Sequence, residues 1–389
     1  MEAGSVVDRL SGLPAGQALL EAARGDENIW LVGGAVRDLM LGQTPAEIDV
    51  VVEGPLDDLL GRLGGEQERF ERFGTATVTI EDGRIDLATA RSETYSAPGA
   101  LPDVSPATVA EDLNRRDFTI NAIAVRLCDA ALLAHAAALE DLENGTLRVL
   151  HSASFEDDPT RLWRCARYGA RLGFAVDPDT AALAAAASPG AVSGERIGHE
   201  LRLTLLEPSP TAVLAGIEAL NPRALLEGFV TEPPRLEAAL ELLGDAGRRD
   251  LLTLAACSEA VELELLTRWL DYLQFSALER EIVAISSRWV TAAPLRNAQT
   301  PAQIASAARG APLEAVALGG EENARRWLDE LRFVELEIGG DDLIKSGVAA
   351  GPAVGAALSY ALDRTLDGEI SGREQQLAAA LEYLERDDA

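Results

Sequence analysis

The stretch GGAVRDLMLGQTPAEIDVVVEG, residues 33–54, decides the fold of the N-terminal part of the chain. Two glycines precede a short helical pattern over 35–41, which a further glycine ends. Glu47 and Asp49 then stand at the head of a β-branched run that predicts a strand over 48–52. Side chains two residues apart in a strand lie on one face, with Cα atoms roughly 7 Å apart. The two carboxylates are therefore expected to project together.

A third carboxylate follows the same pattern. Asp86 lies between two apolar residues in a predicted strand over 84–88. This strand and a second one over 76–80 flank Asp82-Gly83, which is typical of a two-residue hairpin turn. If the strands of Asp49 and Asp86 are neighbours, three carboxylates converge. Oxygen ligands of this kind suit Mg²⁺, and two such ions about 4 Å apart serve phosphoryl transfer.

The glycine turn supplies a complementary feature. Gly33-Gly34 before a helix start offers free N–H groups to a triphosphate, and Arg37, one turn later, adds a charge-assisted contact. The alternative for these residues is an ordinary strand–turn–helix with surface acids. The combination of the glycine turn, the arginine and three carboxylates favours a nucleotide site.

Composition bounds the class of protein. The 389 residues suggest two to four domains, and the net charge of −30 argues, taken alone, against a nucleic-acid partner. Lys345 is the only lysine, however, and arginine is the better residue for bidentate phosphate contacts. The three cysteines form no C-x-x-C pair, which fits a reduced cytosol. With no signal peptide or long apolar span, we expect a soluble cytoplasmic protein without a membrane partner.

The pattern changes along the chain. Residues 91–106 carry three prolines and predict a long loop, and a loop of this length is usually functional or mobile. A helix is predicted over 108–121, followed by an apolar strand over 122–127. After residue 150 the strand signals fade, and helical periodicity marks 160–172, 181–187, 195–206 and 212–220. Arg161, Arg164, Arg167 and Arg171 form one stripe on the first of these helices.

Four motifs together resemble one family. They are LVGGAVRDLMLGQTPAEIDVVVEG (31–54), RIDLATARSETYSAPGALPDV (84–104), EDLNRRDFTINAIA (111–124) and DDPTRLWRCARYGARLGF (157–174), with a weaker match in ERIGHELRLTLL (195–206). The chain resembles the bacterial class II CCA-adding tRNA nucleotidyltransferase and poly(A) polymerase family, which has the polymerase-β-like nucleotidyltransferase fold. The resemblance covers about half of the chain, in the expected order.

The resemblance implies an α+β architecture. An α/β nucleotidyltransferase head would span 28–150, a helical neck that recognises the base 151–210, and a helical body and tail that bind tRNA 211–389. Glu47 and Asp49 match the metal-binding pair, where the family usually has Asp at the first position. Asp86 is assigned as a third catalytic carboxylate by superfamily analogy and strand pattern. The implied nucleotide-binding residues are Gly34, Arg37, Arg116, Asp117, Asp158, Arg161, Arg164 and Arg167.

The implied reaction is Mg²⁺-dependent transfer of CMP and AMP from CTP and ATP to the 3′ acceptor end of tRNA. Within the family, A-only addition and poly(A) synthesis stay open beside CCA addition. The full-length segment 91–104 favours enzymes that add A, because CC-only members are expected to have it shortened. A catalytically decayed RNA-binding protein and an aminoglycoside-type nucleotidyltransferase are the rivals from other classes. Glu47 favours the first rival, but every other motif residue is intact, which disfavours it. The RRD motif, Arg115-Arg116-Asp117, and the long helical second half disfavour the second rival.

Overall fold

A seven-stranded sheet frames the N-terminal part of the chain in the computed structural model, which describes residues 3–70, 74–80, 83–289 and 294–387. The strand order is β3-β4-β5-β2-β1-β8-β9, and β2 pairs with β5 in parallel while the other neighbours are antiparallel. The strands of this sheet are β1 Ile29–Val32, β2 Ile48–Val52, β3 Glu66–Phe70, β4 Thr75–Ile80, β5 Gly83–Thr89, β8 Ile123–Arg126 and β9 Leu132–Ala134. Two small sheets pair β6 Arg91–Thr94 with β7 Asp103–Pro106, and β10 Thr146–Leu147 with β11 Ala175–Val176.

The register of β2 and β5 positions the acids. Asp49 stands opposite Asp86, and Val50 stands opposite Leu87 on the other face, where both are buried. Alternation along each strand therefore buries one face and leaves the carboxylates on the other. The two acid-bearing strands are neighbours, as the sequence argument required.

Several local predictions need correction. The segment 91–106 is not a loop throughout, because its ends pair as β6 and β7. The helix expected over 108–121 is shorter: it spans Val109–Asn114, where the Thr108 hydroxyl caps its start, and a separate 3₁₀ turn covers Thr119–Asn121. The antiparallel pairing of β4 with β5 is confirmed, although Asp82 in the proposed turn lies outside the described residues.

The helices continue through both halves of the chain. Contacts divide it into two compact units, residues 1–224 and 225–389. The helices of the first unit are α1 Ala3–Ser11, α2 Gly16–Ala22, α3 Gly33–Met40, α4 Asp57–Leu63, α5 Val109–Asn114, α6 Ala138–Asn144, α7 Ser154–Asp157, α8 Arg161–Leu172, α9 Pro178–Ala186, α10 Gly194–Leu205 and α11 Pro210–Leu220. The periodicity expected after residue 150 is thus present in α8 to α11.

The second unit is helical in its described part. Its helices are α12 Leu236–Leu243, α13 Arg249–Cys257, α14 Leu263–Tyr272, α15 Ala277–Trp289, α16 Pro294–Asn297, α17 Pro301–Ala308, α18 Leu313–Gly319, α19 Glu321–Asp329, α20 Gly340–Lys345, α21 Pro352–Leu366 and α22 Gly372–Asp387. Among the described residues, no helix combines the length and the apolar character that crossing a membrane requires. The finer division into head, neck and body stays a prediction.

Candidate functional site: an acidic cluster beside an arginine-lined cleft

Three carboxylates converge on the exposed face of β2 and β5. Oxygen atoms of Glu47, Asp49 and Asp86 lie within 4.8 Å of one another. The Thr77 hydroxyl donates to Asp86 Oδ1 at 2.6 Å, and Arg84 Nη2 lies 3.1 Å from the same oxygen. These contacts fix the third carboxylate beside the other two.

The three carboxylates of the cluster repel one another, because they carry like charges at short distance. Burial raises the pKa of Asp49 to about 6, and the neighbouring Glu47 and Asp86 carboxylates act in the same direction, against Arg116 and Arg37. Like charges this close disfavour simultaneous ionisation, and a divalent cation removes that penalty. The three oxygen donors therefore fit a hard divalent ion, and the extra methylene of Glu47 still brings its carboxylate to the cluster.

The glycine turn brings α3 close to a second arginine. Gly33 has φ of +65°, and a Cβ there would lie 2.3 Å from Arg116 Nη1. The positive φ is therefore the reason that favours glycine at position 33, whereas the Arg116 side chain could shift to make space. Gly34 is the glycine predicted to contact the nucleotide. A Cβ at this position would lie 3.5 Å from its nearest neighbour, Arg37 Nη2, which is an ordinary contact distance.

Arg37 is held rather than free. It is 3% exposed, and its Nη1 donates to Asn121 Oδ1 at 2.7 Å while Nη2 lies 2.7 Å from Asp38 Oδ1. Its guanidinium also stacks over Tyr168, 5.2 Å from the ring centroid. These partners pre-orient the arginine at the wall of the cleft.

A buried acid positions the two arginines of the RRD motif. Asp112 is fully buried, with one carboxylate oxygen 2.7 Å from Arg115 Nη2 and the other 3.1 Å from Arg116 Nη2. Arg115 is further engaged by Glu93 at 2.9 Å. Arg116 has fewer such contacts and stands between Gly33 and Asp49, where its charge opposes that of the acidic cluster.

Asp117 links the motif to α8. Its Oδ1 accepts from the Phe118 backbone N–H and from Asn121 Nδ2, both at 2.9 Å, and Oδ2 lies 3.1 Å from Arg164 Nη2. Burial favours protonation of Asp117, but the charge of Arg164 and the hydrogen bonds outweigh it and hold the pKa below its usual range. Arg164 in turn has its pKa raised by Asp117. The pair is ionised at neutral pH.

Asp158 and Arg161 lie side by side at the start of α8, where the Arg161 backbone N–H donates to the Asp158 carbonyl at 3.1 Å and the two side chains have other partners. Asp158 Oδ1 accepts from Thr160 Oγ1 at 2.6 Å and lies 2.8 Å from Arg196 Nη2. Arg161 Nη1 donates to Ser154 Oγ at 2.6 Å, and Nη2 donates to the Arg115 carbonyl at 2.9 Å. Asp158 Oδ2 and the second hydrogen of Arg161 Nη2 are thus an acceptor and a donor beyond these contacts.

Arg167 has a different environment from its neighbours on the stripe. It lies 2.6 Å from Glu200 and 3.1 Å from Glu207, and it is 12% exposed. Arg171 also pairs with Glu207. The structure places both arginines at the cleft, but two carboxylates balance their charge there.

The cleft collects these residues in one space of about 600 Å³. Ten of the eleven residues that the sequence assigned to the site line it, and Asp86 lies in an adjoining groove. Nine arginines and six carboxylates line the cleft, and Asp112, Glu200 and Glu207 pair with four of these arginines from outside the lining. On the surface of the cleft itself, cationic groups outnumber anionic ones although the chain carries −30. The local charge therefore suits a polyanion.

Sequence reasoning missed the residues that position the others. They are Asp112, Asn121, Tyr168, Arg196, Glu200 and Glu207. Asn121 lies within the motif quoted as residues 111–124. Arg196, Glu200 and Glu207 lie in or directly after the weakly matching stretch 195–206. Asp112 contacts Arg115 and Arg116 at i+3 and i+4, a spacing that is visible in the sequence. The other five act through contacts between distant segments, so only their presence in or beside the motifs could have signalled them.

Comparison with known proteins places a match in the N-terminal part of the chain. Residues 29–148 match the family described as the poly A polymerase head domain. The acidic cluster and the glycine turn both lie within the matched residues.

Particular relatives narrow the class. The chain is 40% identical to an A-adding tRNA nucleotidyltransferase of Halalkalibacterium halodurans over 214 residues, 51% of this chain and 50% of that protein. It is 40% identical to a CC-adding tRNA nucleotidyltransferase of Deinococcus radiodurans over 237 residues, 59% of this chain and 62% of that protein. The chain thus spans less than two thirds of the length of these relatives.

A solved structure matches along the whole chain. A CCA-adding enzyme in complex with CTP superposes with a TM-score of 0.80 and 25% identity, covering 99% of both chains. This match confirms the predicted fold class, a nucleotidyltransferase head followed by a helical remainder.

Proposed function

We propose that this protein adds or repairs CCA at the 3′ end of tRNA, transferring CMP and AMP from CTP and ATP without a nucleic-acid template. The observation that carries the proposal is the meeting of three carboxylates with an arginine-lined cleft at Asp49. Such an arrangement holds a cation, a triphosphate and an attacking hydroxyl together. The similarity to relatives named as A-adding and CC-adding tRNA nucleotidyltransferases supports the same reaction.

Each part of the cleft has a task in this reaction. The N–H groups of the Gly33-Gly34 turn, with Arg37, Arg116 and Arg164, bind the triphosphate. Glu47 and Asp49 would hold Mg²⁺, which when bound neutralises phosphate charge and lowers the pKa of the attacking hydroxyl. Asp86, on the far side of the cluster, faces the attacking ribose. Asp117 keeps Arg164 oriented, and Arg167 steadies α8 against Glu200.

Base selection rests with Asp158 and Arg161. Cytosine and adenine both present an amino donor beside a ring-nitrogen acceptor, whereas uracil and guanine present the reverse pattern. An ionised aspartate only accepts and an arginine only donates, so this pair matches C and A. A mismatched base leaves buried groups of the same kind facing each other, which disfavours its binding.

A-only addition is the second candidate, because one relative is named as A-adding and the full-length segment 91–104 is expected of enzymes that add A. Incubation of the protein with CTP and ATP separately, on tRNA ending before CCA and on tRNA ending in CC, distinguishes the two. CCA addition predicts incorporation of C into the first tRNA and of A into the second. Incorporation of A alone would establish the second candidate, and no incorporation would establish a decayed enzyme.

We place this reaction in the cytoplasm. The three cysteines, Cys128, Cys165 and Cys257, are free thiols. Burial raises the pKa of Cys165 and of Cys257 to about 12 in each case, which makes both unreactive. Free thiols of this kind suit a reducing compartment.

A further inference from the structure

An open groove adjoins the cleft on the far side of the acidic cluster. It has a volume of about 360 Å³ and shares Asp49, Arg115 and Arg116 with the cleft. Its floor is the exposed face of β4 and β5, where the small side chains of Thr75 and Ala88 leave a flat surface. The acidic cluster therefore stands between two separate spaces.

An exposed aromatic ring stands at the rim of this groove. Phe70 is opposite Thr75, which is opposite Ala88, so the three share the face that carries Asp86. The ring is 43% exposed on an edge strand, where charged residues are the usual choice. Two strand spacings, about 10 Å, separate β3 from β5. The ring of Phe70 is therefore close enough to the acidic cluster for one nucleotide to contact both.

Nucleotidyl transfer requires that its two reactants reach the acidic cluster from opposite sides. In phosphoryl transfer the attacking and leaving oxygens lie roughly in line on opposite sides of the phosphorus. The arginine-lined cleft receives the triphosphate, so the attacking hydroxyl must arrive from the other side. The groove is the space on that side, and Asp86 lies in it.

We infer that this groove binds the 3′-terminal nucleotide of the accepting RNA and that Phe70 stacks on its base. The inference rests on the proposed function. Glu68, two residues before Phe70 on the same face, disfavours a phosphate at this rim, which leaves the base as the group that meets the ring. An aromatic face accepts any base, as an enzyme that extends ends of changing sequence requires.

Steady-state kinetics of Phe70 variants test the inference. Phe70→Ala should raise the KM for tRNA ending in CC roughly tenfold, while the equilibrium affinity for ATP alone stays at the wild-type value. Phe70→Trp, which keeps an aromatic ring at this position, should have the wild-type KM for the same tRNA. Leu132→Ala is the matched control, since Leu132 is a 38%-exposed apolar side chain on β9, the opposite edge of the same sheet.

The outcomes separate this inference from the function on which it rests. An active wild type with an unchanged RNA KM in Phe70→Ala overturns the groove assignment and leaves the proposed function standing. A parallel loss of ATP affinity, or no rescue by tryptophan, indicates a general structural effect and also overturns it. Absence of incorporation by the wild type overturns both.

Discussion

At the scale of single residues, the proposed base selection depends on the pair Asp158 and Arg161. The wild type should prefer CTP and ATP over UTP and GTP on the order of 10³-fold in kcat/KM. Asp158→Ala should lower kcat/KM with CTP and ATP and make this preference smaller. Measured kcat/KM values for the four nucleotides decide this. Asp157→Ala, one residue earlier, should keep the preference. An unchanged preference in Asp158→Ala would remove these residues from base selection.

Asp112 is the residue on which the orientation of the RRD arginines depends. Burial favours its protonated form, but Arg116 and Arg115 outweigh burial and hold its pKa below the usual 3.8. A lowered pKa stabilises the fold above pH 3.8, and that contribution is lost as the pH falls further. Asp112→Asn should therefore cost about 3–5 kcal/mol at neutral pH, because it leaves two arginines without their buried partner.

Urea unfolding at pH 7 and at pH 3 measures this contribution. The difference in unfolding free energy between wild type and Asp112→Asn should be smaller at pH 3 than at pH 7. Asp129→Asn, which removes an exposed partner of Arg126, should change the midpoint little at either pH. A gap of equal size at both pH values would show that charge is not the reason for the loss.

At the scale of elements, the hairpin β6–β7 is docked at its tip. The Gly99 N–H donates to the Glu156 carbonyl at 3.0 Å, and its carbonyl accepts from Arg196 at 3.2 Å. Gly99 has φ of +69°, and a Cβ there would lie 2.2 Å from the Ala191 carbonyl oxygen. Because Arg196 also pairs with Asp158, the tip is connected to the residue proposed to select the base.

Gly99→Ala should undock the tip and depress incorporation of A more than that of C, since closure of such a segment completes a site. Separate rates with ATP and CTP measure the effect. Gly190→Ala is the control, because a Cβ at Gly190 meets no atom within 4 Å. Equal losses with both nucleotides would argue against a role of the hairpin in the A step.

The elements also show how far the sequence predicts the fold. β-Branched residues predicted β2, and the Asp82-Gly83 turn signal with apolar residues around Asp86 predicted β4 and β5. The three carboxylates were then expected to meet if β2 and β5 were neighbours. The edge strand β3, with the sequence EQERF, has no such alternation because it is exposed along most of its length. The strands β6 and β7 are partly or fully exposed, so no apolar alternation marks them. The contact of Arg196 with Asp158 joins distant segments, and no local pattern indicates it.

At the scale of the whole molecule, the charge of −30 contrasts with the arginines of the cleft. Binding of RNA should therefore depend on a few phosphate contacts and weaken steeply with salt. With roughly four neutralised phosphates, log affinity should fall with log salt at a slope of about −3. Titration of tRNA binding between about 50 and 200 mM salt tests this. A flat response would exclude tRNA as the substrate.

The central claim is that the acidic cluster catalyses nucleotide addition to an RNA 3′ end. Incorporation of labelled AMP from ATP into tRNA ending in CC, with Mg²⁺, by wild type and by Asp49→Asn tests it most directly. The wild type should extend the tRNA, and the isosteric variant should lose nearly all activity while keeping its fold. Glu143→Gln, an exposed acid on α6, should retain activity. Wild-type activity in Asp49→Asn would contradict the account.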